Sequence, residues 1–214
     1  MKLLVATRSA GKQREVRRLL AGAGLDIVFP EDLNLFEDPA EDLLEQSDSY
    51  RANARAKAEY FGKRSGLPTV ADDSGLEVFY LGGAPGVRSR RWAGATGPAA
   101  AVDAANNAEL LRRLHGAPEP KRRARYRCVL VLIRHVGGMP EEFEGECAGK
   151  ILEAAAGSAG FGYDPYFFSD DLGKSFGEAT DEEKDSVSHR GRAFKALKAA
   201  LAQPETRPDV HAPR

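Results

Sequence analysis

Arg123-Ala124-Arg125-Tyr126-Arg127-Cys128-Val129-Leu130-Val131-Leu132-Ile133-Arg134-His135 reads as one long strand. Its three arginines, Arg123, Arg125 and Arg127, recur with the strand period of two and therefore share a face. Glu142 to Ile151 reads as a second long strand, and the glycine pair Gly137-Gly138 supplies the turn between them. Two such runs a few residues apart predict an antiparallel hairpin.

Upstream of that hairpin, strands and helices alternate. Lys2–Ala6 reads as a short buried strand, and Gly11–Ala23 as a helix with Val16, Leu19, Leu20 and Ala23 on one face. Asp26–Phe29 is a second short strand. Ser47 or Asp48 is placed to cap a helix running to about Ser65. Thr69–Asp73 reads as a strand that ends in carboxylates, and Glu77–Leu81 as another. Ala99–Leu114 is helical by composition and stops at Gly116; Pro118-Glu119-Pro120 is a linker-like break. His189–Leu201 is the last helix, with Phe194, Leu197 and Leu201 in register. Early alternation followed by a long hairpin predicts a mixed α/β fold. The expected organisation is a single domain over residues 1–202, followed by a disordered tail over 203–214 that carries three prolines.

With 214 residues and 42% hydrophobic content, the chain can build a full core. A formal net charge of −1, from 31 basic and 32 acidic side chains, argues against wholesale binding to nucleic acid or to an anionic membrane. No run approaches the roughly 18 apolar residues of a membrane span. The apolar start Met1–Ala6 meets Thr7-Arg8 too soon for a signal peptide. The two cysteines, Cys128 and Cys147, lack metal or redox spacing, and Cys128 lies in an apolar strand pattern that predicts a buried, reduced thiol. The chain reads as cytoplasmic.

Several segments carry chemistry. Thr7-Arg8-Ser9-Ala10-Gly11-Lys12 joins the first strand to the first helix, where unpaired amides and a lysine can receive an anion. It is not a Walker A loop, because Ala6 stands where that pattern needs glycine. Taken alone, it is equally the form of an ordinary strand-to-helix turn. Ala71-Asp72-Asp73-Ser74-Gly75 places adjacent carboxylates on a strand, projecting to opposite faces, so one of them points into a given cleft. Such a carboxylate can hold Mg²⁺ and activate water; it can also be no more than a turn former. Glu45 precedes a helix that shows Asn53 and Lys57 on one face, and gains interest if it converges with Asp73 on one metal ion. Arg88, Arg90 and Arg91 join the hairpin arginines as either a solvated edge or a basic rim. Among the arginines no aromatic residues recur, so the stacking platform of single-strand binders is missing.

Gly160-Phe161-Gly162-Tyr163-Asp164-Pro165-Tyr166-Phe167 gathers rings, glycines and a carboxylate in a loop, and Lys184 and Ser188-His189-Arg190 follow. Phe161 and Tyr163 by themselves fit a core, and His189 a helix start. Together with Asp164, Lys184 and Arg190 they form a set that a core would exclude and that a flat heterocycle would engage.

In this order the segments resemble the inosine triphosphate pyrophosphatase (Ham1-like) family, from Met1 to about Leu201. The resemblance rests on Ala6-Thr7 through Gly11-Lys12, on Glu45 with Asn53-Ala54 and Lys57-Ala58, and on Ala71-Asp72-Asp73-Ser74-Gly75-Leu76. It continues through Gly82-Gly83-Ala84-Pro85-Gly86-Val87 to Ser89, Arg91 and Ala93-Gly94, then Phe161–Pro165, Glu183-Lys184 and Ser188–Ala193. It implies an elongated mixed sheet with flanking helices in two lobes about an active cleft. It further implies hydrolysis of inosine, deoxyinosine and xanthosine triphosphates to the monophosphate and pyrophosphate, with Mg²⁺ as cofactor and a homodimer as the assembly. On this resemblance Thr7, Arg8, Ser9, Ala10, Gly11 and Lys12 bind phosphates. Asp73 activates water and contacts the metal together with Glu45, and Ser74 touches substrate. Phe161, Gly162, Tyr163 and Asp164 hold the base, and Lys184, His189 and Arg190 complete the pocket. Two departures stand out: Ser9 where the family usually has asparagine, which shortens the reach of a hydrogen-bonding group, and Arg90 where a small residue is usual.

Donors from His189 and Arg190 aimed at a 6-oxo group would meet the 6-amino group of adenine without an acceptor. Guanine shares the 6-oxo group, so its rejection rests on the 2-position. Two other functions fit the same residues: a related house-cleaning pyrophosphatase for other modified nucleotides, and a non-catalytic nucleotide-binding module.

Overall fold

The computed structural model describes residues 1–203, so residues 204–214 of the expected tail lie outside the described residues. Seven strands form one mixed sheet: β1 (Lys2–Val5), β2 (Asp26–Val28), β3 (Thr69–Val78), β4 (Arg123–Ile133), β5 (Glu141–Ile151), β6 (Phe167–Ser169) and β7 (Lys174–Ser175). Their spatial order is β2-β1-β3-β4-β5-β6-β7. β1 runs parallel to β2 and to β3, and every later pairing is antiparallel. The parallel pairs need helical crossovers, supplied by α1 (Ala10–Leu19) and α2 (Tyr50–Ser65); α3 (Ala99–Arg113), α4 (Asp181–Val187) and α5 (His189–Leu201) follow.

The period-two alternation of strands splits the core between the two sheet faces. Leu3, Val5, Leu130 and Leu132 pack with Val16 of α1 and with Phe194 and Leu197 of α5. Their neighbours Leu4, Ala6, Val131 and Ile133 turn to the opposite face and meet Ala54, Ala58 and Phe61 of α2. A third cluster occupies the other end of β3 and β4, where Leu76, Val78 and Tyr126 meet Leu110 and Leu114 of α3 with Phe167 and Phe176. The sheet thus serves two lobes, and the middle of β3 lies between them. The expected mixed α/β class and the hairpin are both present.

Several expected boundaries move. Thr69–Asp73 and Glu77–Leu81 are not separate strands: β3 is continuous over ten residues, and Phe79–Leu81 is a 3₁₀ turn. Asp72, Asp73, Ser74 and Gly75 pair through with Leu130, Val129, Cys128 and Arg127. Gly75 is therefore not a turn residue. A Cβ there would lie 2.1 Å from the Gly86 carbonyl oxygen, so glycine answers a close backbone approach. α1 ends at Leu19 rather than Ala23, ahead of Gly22 and Gly24, both at positive φ. Ser49, not Ser47 or Asp48, caps α2 by accepting from the Ala52 amide. α4, β6 and β7 were not expected, although Thr180 and Glu183 form a reciprocal capping box at the start of α4.

The arginines of β4 resolve into a salt-bridged face rather than a rim of free cations: Arg123 pairs with Asp170, Arg125 with Glu77 and Arg127 with Glu144. Cys128 and Cys147 are buried free thiols, as expected for Cys128. Among the described residues no helix is long and apolar enough to cross a membrane.

Candidate active site

A cleft of about 690 Å³ opens between the lobes. Its lining takes in Thr7, Arg8, Ser9, Ala10, Gly11, Lys12, Glu45, Asp73, Ser74, Phe161, Gly162, Tyr163, Asp164, His189 and Arg190. Lys184 lines a second cavity of about 390 Å³ with Glu15, and Gly11 and Phe161 line both.

The turn after β1 builds one end of the cleft. Ser9 caps α1 by accepting from the Lys12 amide, so the serine is engaged by its own helix. The Lys12 ammonium reaches Asp72 at 2.8 Å. Arg8 is engaged by neighbouring acids: its guanidinium holds both Glu41 oxygens at 2.7 Å, accompanied by the Leu35 carbonyl at 2.8 Å and Glu31 at 3.1 Å. These contacts tie residues 31–41 to the cleft edge, and they push the Arg8 pKa above its ordinary value, with Glu41 the main cause.

Asp72 and Asp73 do face opposite ways, because β3 stays regular. Asp72 points toward α5, where Arg190 Nε lies at 3.3 Å and the Ser74 hydroxyl at 3.1 Å. Asp73 points toward α2, where Asn53 Nδ2 donates to Oδ2 at 2.9 Å and Lys57 Nζ lies 3.9 Å from Oδ1. Their electrostatics diverge accordingly. Burial alone would raise both carboxyls; for Asp72 the charges of Lys12 and Arg190 overcome it and hold the group far below the carboxylate range. For Asp73 burial prevails over Lys57 and Lys12, with Glu45 adding repulsion, and the pKa rises. A raised carboxyl facing a cleft is the form of a general base.

Glu45 contacts the same lysine: Lys57 Nζ lies 2.6 Å from Glu45 Oε1, and Arg91 Nη1 lies 2.7 Å from Oε2. Against a burial penalty, Lys57 and Lys12 hold the Glu45 carboxyl down at about 2. Among the described residues no three acidic, histidine or cysteine groups gather as a metal cage. Two carboxylates sharing one ammonium nevertheless make an all-oxygen pair, and Mg²⁺ is commonly held by one or two carboxylates with substrate phosphates. Glu45 and Asp73 fit an ion that arrives with a polyphosphate.

At the other end stands Phe161. Its ring lies against Gly11, 5.0 Å from Lys184 Nζ and 5.5 Å from the Arg190 guanidinium. Asp164 is buried and accepts from the Phe161 amide at 2.8 Å and from Lys184 at 2.7 Å. Tyr163 is core as well as lining, its hydroxyl donating to the Ser89 carbonyl at 2.8 Å. His189 opens α5, stacked on Tyr126 with centroids 4.6 Å apart, and its buried Nδ1 has no partner among the described residues. Burial, reinforced by Arg190, depresses its pKa well below the ordinary value, so the imidazole is neutral.

One residue that the sequence did not single out organises this end. Glu15, buried in α1, takes Lys184 on Oε1 at 2.6 Å and Arg190 on Oε2 at 2.7 Å. Arg190 Nη2 then donates to the Ser74 hydroxyl at 2.7 Å. The two cations expected at the nucleotide are thus set in a carboxylate frame of Glu15, Asp72 and Asp164.

Comparison with known proteins gives a consistent picture. Residues 3–200 match the model of the Ham1 family. The chain is 45% identical to the dITP/XTP pyrophosphatase of Salmonella paratyphi A, over 94% of this chain and 98% of that one. It is 40% identical to the dITP/XTP pyrophosphatase of Anaeromyxobacter, over 94% and 96%. Among solved structures, a HAM1 protein from Coxiella burnetii superimposes with a TM-score of 0.82 at 30% identity, covering 95% of this chain and all of that one. A nucleoside-triphosphatase / dITP/XTP pyrophosphatase from Mycobacterium abscessus gives 0.70 at 40% identity, with the same coverage.

Proposed function

The chain belongs to the Ham1 family, and from that premise we propose that its cleft hydrolyses dITP, ITP and XTP to the monophosphate and pyrophosphate, removing deaminated purines from the nucleotide pool. One observation carries the reading: Asp73, a buried carboxylate held by Asn53 and sharing Lys57 with Glu45, lines the same cleft as His189, whose buried Nδ1 has no partner among the described residues.

Asp73 takes the proton from a water whose oxygen forms the new bond to the α-phosphorus. The bond between that phosphorus and the bridging oxygen breaks, and pyrophosphate leaves toward Lys12 and the first-turn amides of α1. Asn53 donates to Asp73 Oδ2, while Oδ1 accepts from the Ser74 amide at 3.2 Å and lies 3.9 Å from Lys57 Nζ. Mg²⁺ held by Glu45 and Asp73 would neutralise charge on the triphosphate. The base lies at Phe161, with a 6-oxo group accepting from donors at the start of α5. Adenine would leave those donors unpaired at about 1–3 kcal/mol each, a loss of tenfold to a hundredfold. A homodimer in the cytoplasm completes the proposal.

Steady-state hydrolysis of ITP, XTP, GTP and ATP with Mg²⁺, with products identified, tests it. Pyrophosphate from ITP and XTP is expected; release of orthophosphate, or ATP as the best substrate, would overturn it.

A further inference from the structure

Gly162 is held at both its amide and its carbonyl by one helix. Asp103 Oδ2 accepts from the Gly162 amide at 3.0 Å, and Asn107 Nδ2, one turn further along α3, donates to the Gly162 carbonyl at 2.9 Å. Gly162 sits at φ +64°, the link between the Phe161 ring and buried Tyr163. The other Asp103 oxygen is occupied by Arg90, whose Nη1 lies 3.1 Å away. Arg90 and Asp103 both line the cleft. The preceding residue, Ser89, is tied to the same helix through Asn106, which also receives the Ala93 amide.

Other restraints on the loop come from the opposite direction. Asp164 and Lys184 hold the Phe161 amide and ring from the α1 and α4 side. α3 therefore supplies the counter-hold that keeps Phe161 over Gly11. The amide and the carbonyl of Gly162 belong to the two peptide planes that meet at its Cα, so fixing both by side chains four residues apart on one helix restrains its φ and ψ.

We propose that Asp103 is a positioning residue for base recognition, locked by Arg90 and seconded by Asn107, so that α3 sets the placement of Phe161 against the purine. This rests on the reading above that the base lies at Phe161. Phosphate contacts and Asp73 are untouched by the clamp, so its loss weakens binding at the base end and leaves the bond-breaking step intact. Arg90, more than half exposed, acts through charge and is screened by salt.

The experiment is steady-state kinetics with ITP, GTP and ATP for the wild type and for Asp103→Ala, Asp103→Asn, Asn107→Ala and Arg90→Ala, at low and high salt, with thermal unfolding in parallel. Asp103→Ala should raise KM for ITP about tenfold with kcat within about twofold, and should narrow the preference for ITP over GTP and ATP. Asp103→Asn keeps an acceptor for the Gly162 amide and should recover most of that loss. Arg90→Ala should raise KM about threefold at low salt and not at high salt. An unchanged KM and selectivity in Asp103→Ala, with only a lower melting temperature, overturns the clamp. Should Asp103→Ala fail to fold, the surface variant Arg90→Ala decides: a KM equal to wild type at low salt overturns it equally. Failure of the wild type to hydrolyse ITP would instead sink the functional reading itself.

Discussion

The Phe161 ring closes on Gly11 so tightly that a Cβ at Gly11 would sit 2.9 Å from the ring. The contact joins α1, to which we assign the phosphates, to the Phe161 loop, to which we assign the base. Gly11→Ala separates two opposed effects. Alanine favours the helix by about 0.5–1 kcal/mol over glycine, yet the ring must shift to admit the methyl group. The expected outcome is a protein of near-wild-type melting temperature whose KM for ITP rises about tenfold, ~1.4 kcal/mol. Kinetics and calorimetry on one sample check both halves.

Asp73→Asn tests the chemistry. The substitution preserves shape and removes the proton acceptor, so kcat for ITP should fall by about a hundredfold to ten-thousandfold, the range typical of a lost general base. Nucleotide affinity by titration calorimetry should change far less. An Asp73→Asn enzyme that turns over like the wild type would remove Asp73 from the role of proton acceptor.

Glu45 is held by Lys57 and Arg91, and the proposal gives it a share of the metal. Chelation should abolish hydrolysis and added Mg²⁺ restore it. Glu45→Gln should raise the Mg²⁺ concentration for half-maximal rate by about tenfold or more, ~1.4 kcal/mol of lost affinity. A Mg²⁺ dependence identical to the wild type would remove Glu45 from the ligand set.

What the sequence disclosed follows from the range of the interactions involved. The β4–β5 hairpin is local, Lys12 and His189 stand at helix starts, and Asp73 lies in the compact run Ala71–Gly75. Glu15 was missed because it is one acid within the arginine-rich run Arg14–Arg18, and its partners lie 169 and 175 residues away. β6 and β7, three and two residues long, are too short for alternation to register. The break expected between Asp73 and Glu77 came from the polar run Asp72-Asp73-Ser74-Gly75; the reason for glycine there, the approach of the Gly86 carbonyl, belongs to tertiary structure. The engagement of Arg8 by Glu41 and Glu31 was equally hidden, since those acids sit in a loop whose path no periodicity reveals.

Glu15 and His189 both contribute to the acid limb of stability, alongside Asp72 and Glu45. Burial would raise the Glu15 carboxyl, but Arg190 and Lys184 bring it down to about 2, from an ordinary value of 4.5. Its contribution is therefore complete above the ordinary value and lost as pH falls toward 2. His189, buried and neutral, has its pKa depressed in the fold, so the unfolded chain binds its proton first and stability declines as pH drops below about 6.5. Both act in the same direction: stability should fall steadily from near neutrality into acid, His189 first and Glu15 later. Glu15→Gln leaves Lys184 with Asp164 and Arg190 with Asp72, and should cost about 3–5 kcal/mol at pH 7, as for one partner removed from a buried pair. The variant's stability should then change less than the wild type's between pH 5 and 3. Denaturant unfolding of both proteins at a series of pH values measures this, and parallel curves would show that the Glu15 charge does not hold the two cations in place.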